Sequence, residues 1–129
     1  DGMRALRKMR EAALELAAQG RSMLIFPQGT RIAPGASKPY EIGVFALYDS
    51  TGLPVVPVAL NSGHVWPRNS WLKYPGIVDV CFLEPIAPGL TRKQFMATLE
   101  QRIESQMAAL EAPQQHRDRA LTEEPHHGR

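Results

Sequence analysis

The sequence holds one cysteine, Cys81, so it cannot form an internal disulfide. Because Cys81 sits in an apolar segment, it reads as a buried structural thiol, which fits a cytosolic setting. No apolar run approaches the roughly 20 residues needed to cross a bilayer, and the amino-terminal stretch lacks the pattern of a secretory signal. There is no internal repeat and no long acidic or basic block. With 15 Lys and Arg against 13 Asp and Glu the net charge is +2, so nothing in the overall balance commits the chain to nucleic acid or anionic lipid. No histidine precedes His64, and no second ligand lies at metal-binding spacing around it. A metal site and nucleic-acid binding are therefore not expected.

What is present reads as alternating helix and strand, an α/β chain of one domain or part of one. Over residues 2–19 Met3, Leu6, Met9, Ala13, Leu16 and Ala17 recur at helical spacing, with the methionines as core filler. Arg7 and Glu11 make an i,i+4 pair, and Gly20 suits the position past the helix end. The basic residues of this helix form either a solvated face or a contact with lipid head groups. Residues 22–26 are short and apolar, which predicts a buried strand. Residues 41–50 predict a short helix ending at Gly52, and 55–60 a second strand bent at Pro57. The segment 61–76 is a long loop with Trp66, Trp71, Arg68, Lys73 and Tyr74 interleaved; it suits a lipid or acyl-chain contact or a fold back onto its own domain. Residues 77–83 predict a third strand. Thr91 with Gln94 is a capping-box pattern that starts a long helix with Phe95, Leu99, Ile103 and Leu110 as one buried stripe. Residues 113–129 have almost no apolar content and predict a disordered tail.

The most informative stretch is Phe26-Pro27-Gln28-Gly29-Thr30-Arg31. It follows an apolar run directly, and such a turn can aim backbone N–H groups, the Thr30 hydroxyl and the planar fork of Arg31 at one anion. A phosphate is the expected ligand, with a plain polar surface turn as the alternative.

This stretch resembles the Phe-Pro-Glu-Gly-Thr-Arg motif of the 1-acylglycerol-3-phosphate acyltransferases. Residues 52–63, with Val56, Pro57 and Val58 at their centre, are similar to that family's later Val-Pro-Val block, and residues 39–47 resemble the spacer of bacterial members. The likeness spans roughly residues 4–103. It implies a partial αβ sandwich, ordered helix-strand-helix-strand and then strand and long helix, in which residues 1–112 are the carboxyl-terminal part of the acyltransferase domain. It also implies further strands supplied by the rest of the enzyme.

Two departures accompany the likeness. The family's catalytic signature, a histidine followed five residues later by an aspartate, is expected upstream of the first motif and is absent here, so no residue of this sequence is expected to be catalytic. Gln28 occupies the motif's glutamate position and keeps its shape without its charge. The resemblance implies acyl transfer from acyl-CoA or acyl carrier protein to lysophosphatidic acid, with no cofactor. In that scheme Gln28, Gly29, Thr30 and Arg31 bind the acceptor phosphate. It further implies peripheral contact of the full-length protein with the cytoplasmic face of the inner membrane. The rival reading is a phosphate- or phospholipid-binding module without catalysis.

Overall fold

Apolar residues at helical spacing fold as expected at both ends of the chain. Helix α1 (Gly2–Ala18) leads to α2 (Gly43–Thr51), strand β1 (Val58–Leu60), a 3-10 turn (Ser62–His64), strand β2 (Val80–Phe82) and the long α3 (Arg92–Thr122). This computed structural model describes residues 2–30, 33, 36, 38–67, 69 and 71–122, with side chains as far as 113.

The core forms where α2, α3 and the segment after β2 meet. Tyr40, Val44, Tyr48, Ile86, Phe95 and Leu99 are buried together. Tyr48 stacks on Phe95 with ring centroids 4.0 Å apart, and its hydroxyl donates to the Ala87 carbonyl at 2.7 Å while accepting from Leu90 N–H at 2.9 Å. A buried phenol thus leaves no polar atom unpaired, which is what allows it into an apolar core. The capping box forms as expected: Gln94 N–H donates to Thr91 Oγ1 at 3.3 Å, and Thr91 N–H donates to Gln94 Oε1 at 3.1 Å. Gly52, at φ 61°, closes α2 by donating its N–H to Tyr48 O, a left-handed cap that glycine adopts without a Cβ penalty.

Helix α1 lies against α2, with the expected Arg7–Glu11 pair at 3.7 Å. Arg10 Nε donates to Ser50 Oγ at 2.7 Å, and Leu6 comes within 3.7 Å of where a Gly43 Cβ would stand. Ala13 is the buried residue of this helix. The methionines correct the expectation of core filler, for Met3 and Met9 are exposed.

The first predicted strand is also corrected. Residues 22–26 form no strand, and Met23, Leu24 and Phe26 are exposed. A strand exists only through a partner, and among the described residues the only ladder is the antiparallel β1–β2 pair, with Val58 opposite Phe82, Ala59 opposite Cys81 and Leu60 opposite Val80. The two remaining strands are shorter than predicted. A separate bridge joins Val55 to Ile86, and between it and the ladder residues 83–85 face only residues 56–57. This one-residue bulge holds Pro57 and Pro85, neither of which can donate to a ladder. The ladder is thus interrupted at Pro57, with the extra residue on the opposite segment. Cys81 is half-buried rather than buried, with Gln106 Nε2 at 3.7 Å from its sulfur; β2 is an edge whose outer face is open. The helix expected to stop near Ala112 runs on to Thr122 with Pro113 inside it. Proline removes the bond to Ala109 O, but the Gln, Arg, Ala and Leu residues after it are good helix formers. Residues 123–129 lie outside the described residues.

Candidate acceptor site

The motif after residue 26 folds as a turn held from two sides. Gly29 N–H donates to Phe26 O at 3.0 Å, closing the turn, with Pro27 at the position its ring presets. Gly29 has φ +66°, and a Cβ there would lie 3.4 Å from Glu41 Cγ. Glycine is thus favoured by this backbone conformation, while the Glu41 side chain over it would meet a Cβ only at ordinary contact distance.

Glu41 N–H donates to Pro27 O at 2.7 Å. Lys38 Nζ donates to Gln28 O at 2.8 Å and to Glu41 Oε1 at 2.9 Å. Residues 38–41 therefore fold back over the turn and fix its carbonyls, leaving the Gln28 side chain half-buried and Thr30 exposed. Arg31 lies outside the described residues.

The turn forms one end of an open cavity of about 1200 Å³. Gln28, Gly29 and Thr30 line it on one side. Val58 and Leu60 of β1, Val80 and Phe82 of β2, and Ile103 and Met107 of α3 supply an apolar wall. Of the second predicted block, Val58 reaches this cavity, Pro57 is fully buried, and Val56 points to solvent, 47% exposed. Val58 is thus the residue of this block that forms part of the wall.

Two polar pairs brace the cavity. Tyr40 OH donates to Glu104 Oε1 at 2.8 Å, tying the segment beside the turn to α3. Burial, then the bond to Glu104, then the negative charges of Glu104 and Glu100 push the Tyr40 phenol well above its ordinary value, so it stays a donor. At the other end Asn61, buried, donates from Nδ2 to Asp79 Oδ2 at 3.1 Å, and its Oδ1 accepts from Asp79 N–H at 2.8 Å. That pair closes the base of the loop between β1 and β2. His64 also lines the cavity, but its Nε2 is buried without a hydrogen-bond partner among the described residues. No group of three or more His, Cys, Asp or Glu among the described residues is arranged to hold a metal.

Gln28, Gly29 and Thr30, singled out in the sequence, line the cavity, whereas Lys38, Glu41, Tyr40 and the Asn61–Asp79 pair were not anticipated there. The three-residue spacing of Lys38 and Glu41 is the one signal that pointed to them; the folding back that aims both at the turn leaves no local mark.

Residues 2–61 of this mixed α/β chain match the family model Acyltransferase. This chain is similar to 1-acyl-sn-glycerol-3-phosphate acyltransferases. It is 42% identical to the one from Pseudomonas aeruginosa over 76 residues, 59% of this chain and 30% of the relative. It is 32% identical to the one from Cocos nucifera over 83 residues, 64% of this chain and 27% of the relative. The crystal structure of the 1-acyl-sn-glycerophosphate (LPA) acyltransferase PlsC from Thermotoga maritima superposes with a TM-score of 0.73 at 28% identity, over 84% of this chain and 45% of that one. The chain thus spans less than half the length of each of these relatives.

Proposed function

We propose that this chain supplies the acceptor-binding part of an enzyme that transfers a fatty acyl group from acyl-CoA or acyl carrier protein to 1-acylglycerol-3-phosphate, forming phosphatidic acid for phospholipid biosynthesis. The observation that carries this reading is the junction of turn and cavity: a phosphate-suited turn, Gln28 to Thr30, opens directly onto an apolar wall. The acceptor has the same polarity, a phosphate at one end and an acyl chain at the other. Arg31 pairs with the phosphate, Thr30 adds a donor, Gly29 adopts the positive φ of the turn, and Gln28 positions without adding a charge that would repel the phosphate. The chemical step needs a base on the acceptor hydroxyl, in this reading the family's histidine with its aspartate, which this sequence does not contain. Residues 1–112 form the carboxyl-terminal part of the acyltransferase domain, α3 runs on past them to Thr122, and the enzyme works as a peripheral protein at the cytoplasmic face of the inner membrane. Among the described residues no helix is long and apolar enough to cross a membrane.

The test compares binding of a soluble short-chain 1-acylglycerol-3-phosphate with that of the phosphate-free monoacylglycerol. The phosphate should strengthen binding, and Arg31→Ala should weaken it by about one to two orders of magnitude, since a charge-assisted contact is worth roughly 1.5–3 kcal/mol. Arg31→Lys should restore part of the loss. Equal affinity for the two ligands would remove the turn from the acceptor site.

A further inference from the structure

The acceptor site leaves one exposed surface unexplained, the loop between β1 and β2. Trp71 is fully exposed at 101%, and Leu72, Tyr74 and Ile77 are each more than half exposed. Lys73 Nζ lies 4.4 Å from the centre of the Trp66 ring, a cation–π contact that carries the charge beside these apolar groups. Residues 61–78 contain no aspartate or glutamate, while Arg68 and Lys73 add two positive charges. At the start of the loop Trp66 and Pro67 also line the cavity.

Four large apolar side chains exposed within seven residues of one loop are uncommon on a soluble monomer unless something covers them. Tryptophan and tyrosine favour the boundary between water and hydrocarbon, where a ring buries its body and keeps its polar edge wet. Lysine and arginine at that depth meet lipid phosphates, and a stretch without carboxylates has nothing to repel them. Charge complementarity therefore selects an anionic lipid surface over a second copy of this chain, which would set like charges against each other.

We infer that this loop docks on an anionic phospholipid bilayer, with Trp71 and Leu72 in the interfacial layer and Lys73 at the head groups. Docking there sets the cavity wall at Trp66 and Pro67 beside the membrane that holds a lipid acceptor. The inference rests on the acyltransferase reading only for the identity of that acceptor.

The test is flotation of the chain with phosphatidylcholine vesicles, with and without phosphatidylglycerol, and fluorescence of the Trp66→Phe variant, in which Trp71 is the remaining tryptophan. Binding to the phosphatidylglycerol vesicles should be at least about tenfold stronger and fall with salt, with Trp71 emission shifting to the blue. Trp71→Ser should weaken it by about tenfold or more, and Lys73→Glu should abolish the preference for anionic lipid. Circular dichroism checks that these surface variants fold. The inference is overturned by absence of binding, by flotation with unshifted Trp71 and a neutral Trp71→Ser, or by a lipid-free dimer that Trp71→Ser dissociates. Binding of the soluble short-chain acceptor is measured on the same preparations and should be unchanged in Trp71→Ser. Vesicle docking without acceptor binding would sink the acyltransferase reading and leave the docking loop standing.

Discussion

Lys38 and Glu41 show how much of this turn is decided by residues outside its motif. The turn itself was legible because proline, glycine and a hydroxyl in succession limit a short chain to few shapes. Its clamp was not legible, since Lys38 meets Gln28 O and Glu41 Oε1 only after the chain folds back. Lys38→Met should free the Gln28 carbonyl, loosen the turn and weaken binding of the short-chain acceptor by about tenfold, in line with a charged hydrogen bond. Lys38→Arg should restore much of it; equal binding in wild type and Lys38→Met, by calorimetry, would make the clamp irrelevant to the site. Tyr40 leads to a prediction about pH. Its folded phenol titrates above the unfolded value of about 10, because burial and Glu104 oppose the phenolate. The folded state therefore holds this proton more tightly, and the resulting stability is full below about pH 10 and fades as pH rises through the folded value. Urea unfolding of Tyr40→Phe should show a lower stability near neutrality and a shallower alkaline decline than wild type. Parallel declines in the two proteins would show that Tyr40 does not contribute to the alkaline limb.

Among the elements, helices were legible and strands much less so. A helix satisfies its backbone within itself, so the spacing of Phe95, Leu99 and Ile103 and the Thr91–Gln94 box were enough to place α3 and its buried face. A strand depends on a partner elsewhere in the sequence. Residues 22–26 have strand composition but no described neighbour to pair with, and β1 and β2 are cut short where Pro57 and Pro85 interrupt the ladder. The end of α3 lies beyond the expected one for the same reason: residues past 112 have almost no apolar content, yet a helix pairs its backbone within itself and the good helix formers after Pro113 carry it on to Thr122. Two substitutions measure this element separately. Phe95→Ala removes a fully buried ring stacked on Tyr48 and should cost about 3–5 kcal/mol. Thr91→Ala loses the cap and should cost about 1 kcal/mol. Denaturant midpoints give both values, and a cap effect as large as the core effect would mean that α3 is held by its first turn rather than by its stripe.

For the molecule as a whole, the proposed site has the parts for binding but not those for reaction. The turn, the apolar wall and the bracing pairs surround one cavity, yet no histidine in the sequence has an aspartate five residues on: that position is Asn69 after His64 and Leu121 after His116, and no aspartate follows His126 or His127. His64 is the histidine beside the cavity, but its Nε2 is buried without a described partner, so nothing orients it toward an acceptor hydroxyl. The site is also loosely framed. Its wall rests on a two-stranded sheet, marginal without further cover, and Leu24, Phe26 and Phe82 stand largely exposed around it. A positioned base commonly contributes a hundred- to ten-thousand-fold to rate, and that contribution is missing here. The 129-residue chain should therefore bind short-chain 1-acylglycerol-3-phosphate while showing no acyl transfer from acyl-CoA above background. The check is a thiol-release assay run beside the binding measurement, on wild type and on His64→Ala. Turnover by the chain that His64→Ala abolishes would identify a base on the β1–β2 loop and would place the catalytic centre within the cavity described here.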